Sequence, residues 1–556
     1  MTVESSRRSV LLAGALAFVV PFVALVGGWR YLGSGDTVPA ELLPLSILGD
    51  GDLAFDEFVH RGRQLPYWFQ EVRGHALSSY PILPGLLNVP VYAVAGAFGV
   101  PLYEDRFRLS LITVALLTAG SVVFMHRCLL RVCASLLEAN LFAFAYFFGT
   151  TVWSVAGKGL FQHGPSLFFL TLALLLLLRA GPSDTALAGL VLGFAVINRP
   201  TNLLIALPLA VFAVRERRRG IAGFFALAAV PALLHAVYAW RYFGTPFTSG
   251  QPIGLERFHG DWREGLGGLL LSPSRGLFVF SPFLLLAIPA AVACFRRGEP
   301  AFYRYLVVAV VLEVALHSKW DNWWGGHTFG YRLLIEIVPL LVLILARQWR
   351  RLARSPGVPA VFGALLGISV AVNALGAFVF PSGFNANIDL EPWRLWSVRD
   401  SELALDLRKL GRISSGEAWI PPETGPSRGV VRAAAPRPVW WTPGLDDDTI
   451  PAHLDWPREG SRVRGELVVA GWAGTAEGPV DVQVLLGPGD RVLAPERVPR
   501  PDVCGAFPRL KDCRAVGFLL RVPPPAAGPR QRALVVEVRD VARKVKRLGP
   551  VRFSWK

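Results

Sequence analysis

Long uncharged runs alternate with short arginine clusters from Met1 to Phe380, and this alternation constrains the fold more than any other feature of the chain. The first run, Ser9 to Gly28, holds roughly 20 uncharged residues, enough to cross the hydrocarbon core of a bilayer. Repeated segments of that kind need lipid around them, and a composition that is 53% hydrophobic and 18% charged argues against a soluble globular protein. The formal net charge of +16 raises the question of nucleic acid. The basic residues fall in clusters between apolar runs, however, and neither a basic face nor a recognition motif is present. The chain therefore reads as a polytopic, all-α membrane protein.

The clusters also set an orientation. With Arg7 and Arg8 cytoplasmic, the first span runs outward, and residues 29–106 form an outer loop. SSRRSVLLAGALAF superficially matches a twin-arginine export signal, but no small-residue cleavage site follows, so an uncleaved anchor is expected. Pro84 and Pro90 break the stretch Pro81 to Val100, which reads as an interfacial segment that does not cross. Arg127 and Arg131, Arg179, the RERRR run Arg215 to Arg219, Arg296 with Arg297, and RQWRRLAR then all fall on one side. This arrangement takes about eleven crossings, the last from Val358 to Phe380, and leaves the C-terminal region outside.

Residues 1–381 thus form the membrane domain and 382–438 a mixed, Pro-rich linker. From 439 to 556, short runs such as ELVVAGWA, VDVQVLLG, AVGFLLRVP and RALVVEVRD are separated by Gly and Pro turns and read as a small periplasmic β-sandwich. Trp472 is expected in its core. The spacing of Cys504 and Cys513 suits a disulfide if that region faces an oxidising compartment, whereas Cys128, Cys133 and Cys294 read as small packing residues.

Asp36 stands a few residues beyond the first span, and an ionisable group so near hydrocarbon is by default a functional hypothesis. The bland alternative is a helix cap, because SGDT is also a capping sequence. Other outward segments carry cations: Lys158 and His163 in WSVAGKGLFQHGP, Arg199 in NRP, Arg275 in SPSRG, and His327 and Arg332 in SKWDNWWGGHTFGYRLL. A carboxylate that takes a proton from an attacking hydroxyl, with cations holding a phosphate leaving group, suits group transfer. Asp50, Asp52, Asp56 and Glu57 are further acids in the loop, and Glu313 lies close before the outer end of its span. Trp320, Trp323 and Trp324 read as an interfacial aromatic belt rather than a sugar platform.

The early outer-loop Asp, the YPILPG-like interface segment and the strings SGDTVPAELLPLSIL, LFQHGP, NRPTN and GGHTFGYRLL resemble the GT-C glycosyltransferases, which include protein O-mannosyltransferases and lipid A aminoarabinose transferases. The resemblance covers roughly Met1 to Phe380 and points to a bacterial member in the inner membrane. It implies inverting transfer of a sugar from a polyprenyl-phosphate donor to a glycan, lipid or protein acceptor at the outer face. Asp36 would then be the general base, and Arg332, His163, Arg199, Lys158, Arg275 and His327 would be candidates for the donor phosphate. Many relatives carry a second acid near the first Asp; here Thr37 follows, so no metal held by paired carboxylates and no required cofactor is expected. Two other readings stay open: a transporter or flippase of a lipid-linked or polar solute, and an oligosaccharide ligase or polymerase using a diphosphate-linked donor. Transporters place ionisable groups near the bilayer midplane and often carry internal repeats.

Overall fold

The structure is a computed structural model; it describes residues 7–59, 65–247, 257–388 and 392–414, and, beyond these, 452–456, 461–463, 466–475, 480–486, 491–500, 503, 515–523, 531–539 and 545–555. The chain separates into two compact units, residues 1–380 with 395–397, and residues 381–394 with 398–556.

The first unit is helical. Among the described residues, five helices are long and apolar enough to cross a membrane: Arg7–Val26, Arg106–Val132, Arg218–Phe243 with its leading turn, Ala301–Ser318 and Val358–Phe378. Shorter apolar helices, among them Leu136–Phe148, His163–Arg179 and Pro182–Asn198, stand beside them. The helix Val338–Leu352 is apolar all round in its first part, and Val338 through Ala346 are all buried, as expected of an element enclosed by others. Its arginine-rich end reaches the surface, where Arg347 Nε lies 3.0 Å from Glu299 Oε2. By contrast Leu11, Leu12 and Leu16 of the first helix and Phe225, Leu233 and Val237 of the Ile221–Phe243 helix are exposed, the arrangement that suits lipid rather than water.

Small residues decide how closely the helices approach. A Cβ at Gly189 would lie 2.0 Å from the carbonyl oxygen of Phe224, and one at Gly193 would lie 2.9 Å from that of Ala228. The Pro182–Asn198 and Ile221–Phe243 helices therefore touch backbone to backbone, as small-xxx-small faces allow in membranes.

Several runs are less regular than their hydropathy implies. Leu277 to Phe295 is broken at Ser281 and Pro282 into short helical pieces, because proline donates no backbone hydrogen bond; the Ser281 hydroxyl bonds the Gly149 carbonyl at 2.8 Å. The stretch 29–106, read from sequence as an outer loop, is largely structured. It holds the helix Val38–Gly49, a hairpin of Phe69–Val72 with His75–Ser78, and the helix Leu83–Ala97. A further helix, Trp262–Leu271, lies between the Ile221–Phe243 helix and Arg275.

In the second unit, one sheet runs in the order Ser461–Val463, Val545–Trp555, Gln531–Arg539, Asp481–Leu486, Arg491–Leu493; the other runs Ala452–Trp456, Leu467–Ala473, Gly517–Val522, Glu496–Val498. Leu467, Val469, Phe518 and Val522 from one sheet and Val482, Val484, Leu534, Val536 and Val538 from the other share a single core, which is the packing of a two-sheet sandwich. Trp472 is buried. Cys504 and Cys513 lie outside the described residues.

Candidate active site

The segment after the first helix turns sharply at Gly35–Thr37. Ser34, not Asp36, is the cap: its Oγ accepts from the Asp36 amide at 3.3 Å, while Thr37 Oγ1 accepts from the Ser34 amide at 3.1 Å. The Asp36 carboxylate is thereby spared the capping role that its sequence context suggested. Gly35 is required by space, since a Cβ there would sit 2.2 Å from Tyr67 Oη and 2.7 Å from the Trp68 ring.

Those neighbours define the environment of the acid. Asp36 Oδ1 accepts from the Tyr80 hydroxyl at 2.7 Å and the Tyr67 hydroxyl at 3.2 Å, and Oδ2 is paired with an Arg332 Nη2 donor. A carboxylate offers about four lone-pair sites. Three are engaged, which leaves one on Oδ2, and the Asp36 side chain is 19% exposed. Burial pushes the acid up, but the charge of Arg332 and the hydrogen bonds from Tyr80, Arg332 and Tyr67 outweigh it, and the net shift is below the usual carboxylate value. For Tyr80 and Tyr67, burial and then the Asp36 charge push both phenols far up, so they serve as donors.

Arg332 lies 4.7 Å over the Phe161 ring, and its Nε donates to His163 Nε2 at 3.2 Å. Arg332 Nε only donates and the Glu336 carboxylate only accepts, so Nε2 presents its lone pair and the proton sits on Nδ1, a tautomer assigned from the hydrogen-bond pattern; Arg199 Nη1 lies close to both ring nitrogens, 3.1 Å from Nδ1 and 3.3 Å from Nε2. That Nδ1–H donates to Glu336 Oε1 at 2.7 Å. A second unit repeats the arrangement: Arg199 Nη2 approaches His317 Nε2 at 3.4 Å, and His317 Nδ1 lies 3.1 Å from Glu313 Oε2 and 2.9 Å from the Glu313 carbonyl. The two units meet where Arg199 Nη1 comes within 3.6 Å of Glu336 Oε1. Each is a carboxylate that fixes an imidazole, which in turn orients a guanidinium.

The elements explain why these groups coincide. His163 starts a helix, Arg199 joins two, Glu313 and His317 end one, and Arg332 with Glu336 leads into Val338–Leu352. All of them are helix ends at one end of the bundle.

Of the sequence candidates, the structure thus brings together Asp36, Arg332, His163 and Arg199. Lys158 is placed elsewhere, its Nζ donating to the Leu25 carbonyl at 3.0 Å at the end of the first helix; burial and the nearby Arg30 lower its pKa to about 8. Arg275 secures the 322–330 loop through the carbonyls of Trp324 at 3.1 Å and Gly326 at 3.4 Å, and His327 is half-buried on that loop. Trp323 packs under it against Trp324 and Trp396, where a Cβ at Gly268 would come within 2.3 Å of its ring. Among the loop acids, Asp52 accepts from the Ala54 amide, Asp56 bonds His75 and the Ala76 amide, and Glu57 bonds Ser46. Among the described residues, no group of three or more His, Cys, Asp or Glu side chains is placed to hold a metal ion.

Sequence reasoning missed Tyr67, Tyr80, Glu336 and His317, and also Glu41. Glu41 is buried and accepts from Thr37 Oγ1 at 2.6 Å and the Tyr31 hydroxyl at 2.7 Å, which steadies the turn carrying Asp36. Signals existed for some of these. Glu336 interrupts the apolar run LLIEIVPL, and His317 stands four residues after Glu313, on the same helix face.

No protein-family model and no curated protein matches the chain. Two solved structures resemble it in outline. One is the apo oligosaccharyltransferase of Archaeoglobus fulgidus, with 11% identity and a TM-score of 0.43, covering 83% of this chain and 62% of that one. The other is the Archaeoglobus fulgidus oligosaccharyltransferase AglB in complex with an inhibitory peptide and a dolichol-phosphate, with 11% identity and a TM-score of 0.41, covering 82% of this chain and 62% of that one. The chain therefore spans less than two thirds of the length of either protein.

Proposed function

We propose that the chain is an inverting glycosyltransferase that moves a sugar from a polyprenyl-phosphate-linked donor to an acceptor hydroxyl at the outer face of a bacterial inner membrane. The observation that carries this reading is the Asp36 carboxylate, half-enclosed at a helix-bundle end, with two phenols on Oδ1, a guanidinium on Oδ2 and one Oδ2 lone pair open. The resemblance of the surrounding strings to GT-C enzymes supports it. In this reading Oδ2 takes the proton of the acceptor hydroxyl as that oxygen attacks the anomeric carbon, and the lipid phosphate departs from the opposite face.

Arg332 has two roles. With no donor phosphate it keeps Asp36 ionised; when a phosphate draws the guanidinium away, the carboxylate regains basicity as the leaving group gains a counter-charge. A cation about 4 Å from the departing phosphate contributes about 4 kcal/mol at an effective dielectric of 20, or about three decades of rate if realised only in the transition state. Arg199 is the second candidate for that phosphate.

The test is Asp36→Asn in proteoliposomes supplied with a panel of radiolabelled polyprenyl-phosphate sugars and membrane glycan acceptors. Transfer is expected to vanish while insertion stays normal, and retained turnover rejects the base assignment. The buried Glu313, His317 and Glu336 favour a second reading, a transporter of a polar or lipid-linked solute. Their depth argues against it: Glu313 lies five residues before Ser318, about 7.5 Å below the end of its helix and far from a midplane site. Solute flux into sealed liposomes that survives Asp36→Asn would favour transport.

A further inference from the structure

In the second unit, the helix Glu402–Ser414 is folded with its polarity reversed relative to a helix on a water-soluble surface. Glu402, Asp406 and Lys409, at i, i+4 and i+7, are 0%, 0% and 6% exposed. Another stripe with the same spacing is apolar and turned outward: Leu403 is half-buried, and Leu407 is 56% and Leu410 42% exposed. In water this pattern leaves apolar area wet while charges bear the cost of burial, the opposite of what drives a helix to pack. Two of the buried polar groups are bonded within the unit: Lys409 Nζ donates to the Pro381 carbonyl at 2.7 Å, and Asn385 donates to Glu402 at 3.4 Å.

We propose that this helix lies in the plane of a membrane surface, with Leu403, Leu407 and Leu410 seated in the acyl boundary. Three observations identify lipid as the occupant. Lys409 ties the helix to Pro381, which follows the apolar helix Val358–Phe378 by three positions in the chain, so few residues separate the stripe from an apolar segment. Arg408 and Arg412 are exposed on the face away from the leucines, the basic polar face that an interfacial helix turns to headgroups and water. Trp393 and Val398, 59% and 75% exposed, are further apolar side chains exposed in the same unit, and tryptophan is the side chain that settles at headgroup depth. The helix is about 20 Å long at 1.5 Å per residue, enough for three turns of contact. Its function is to hold the start of the second unit against the bilayer, and this holds whether or not the chain transfers sugar.

The experiment uses the full-length chain in nanodiscs of phosphatidylethanolamine and phosphatidylglycerol, with the five native cysteines replaced. A spin label is placed in turn through Leu407→Cys, Leu410→Cys and Arg408→Cys, and collision rates with oxygen and with a neutral nickel chelate are measured. The expected result is oxygen-dominated collision at 407 and 410 and nickel-dominated collision at 408. Nickel-dominated collision at all three positions places the stripe in water and overturns the proposal. Shielding of 407 and 410 from both reagents also overturns it, because another protein surface then covers the stripe, either elsewhere in this chain or in a second copy.

Discussion

Glu336→Ala tests the central geometry, because that residue touches neither Asp36 nor Arg332 directly. His163 and Glu336 are 1% and 3% exposed, and Arg199 Nη1 is 3.6 Å from the same carboxylate oxygen. Removing one partner of a buried ion pair costs about 3–5 kcal/mol, since the other charge stays buried. A second effect is local. Without an acceptor at Nδ1, the neutral imidazole is free to carry its proton on Nε2, where it confronts the Arg332 Nε–H instead of accepting from it. The hydrogen bond lost is made by a charged donor and contributes about 1.5–3 kcal/mol, equivalent to about a 10- to 150-fold loss in the occupancy of Arg332 beside Asp36. Glu336→Gln keeps an acceptor oxygen and removes only the charge, so it should retain the tautomer with a smaller stability loss. Nitrogen NMR of histidine-labelled protein in nanodiscs reads this directly, with His163→Asn assigning the signal. The wild type should show a protonated Nδ1 and an unprotonated Nε2, and Glu336→Ala should lose that signature. If Glu336→Ala leaves both the tautomer and the unfolding free energy unchanged to within about 0.5 kcal/mol, the relay is refuted.

Asp36 and Gly189 offer two further tests. The folded pKa of Asp36 is depressed, so its pairing stabilises the fold fully above the unfolded value near 3.9 and is lost as pH falls from there through the folded value. The stability difference between wild type and Asp36→Asn should be flat from neutral pH down to about pH 5 and shrink below it; a difference that instead shrinks between about pH 7 and 5 contradicts the shift. Gly189→Ala forces a methyl group against the Phe224 carbonyl and should destabilise by about 1–3 kcal/mol, whereas Gly363→Ala, with nothing within 4 Å of its Cβ, should be neutral or slightly stabilising. Equal unfolding midpoints for the two variants would show that the helices do not meet at Gly189.

The uncharged runs and arginine clusters were enough to read a helical membrane unit followed by short strands, because hydropathy and charge bias act locally and leave their period in the letters. Asp36 was legible for the same reason, being an acid at the edge of an apolar run. The partners of that acid were not. Tyr67 and Tyr80 reach it from the turn before the hairpin and the loop after it, and Arg332 reaches it from almost 300 positions away. Lys158 and Arg275 show the converse: as cations in outward loops they looked equivalent to Arg332, yet Lys158 donates to the Leu25 carbonyl and Arg275 to that of Trp324. Sequence alone determines which residue types can stand at the bilayer edge, because the cost of a charge in hydrocarbon applies position by position. Which of those charges face one another is decided only by the tertiary structure, because hydrogen bonds act over about 3 Å and the helix packing that brings distant donors within that range has no local signature.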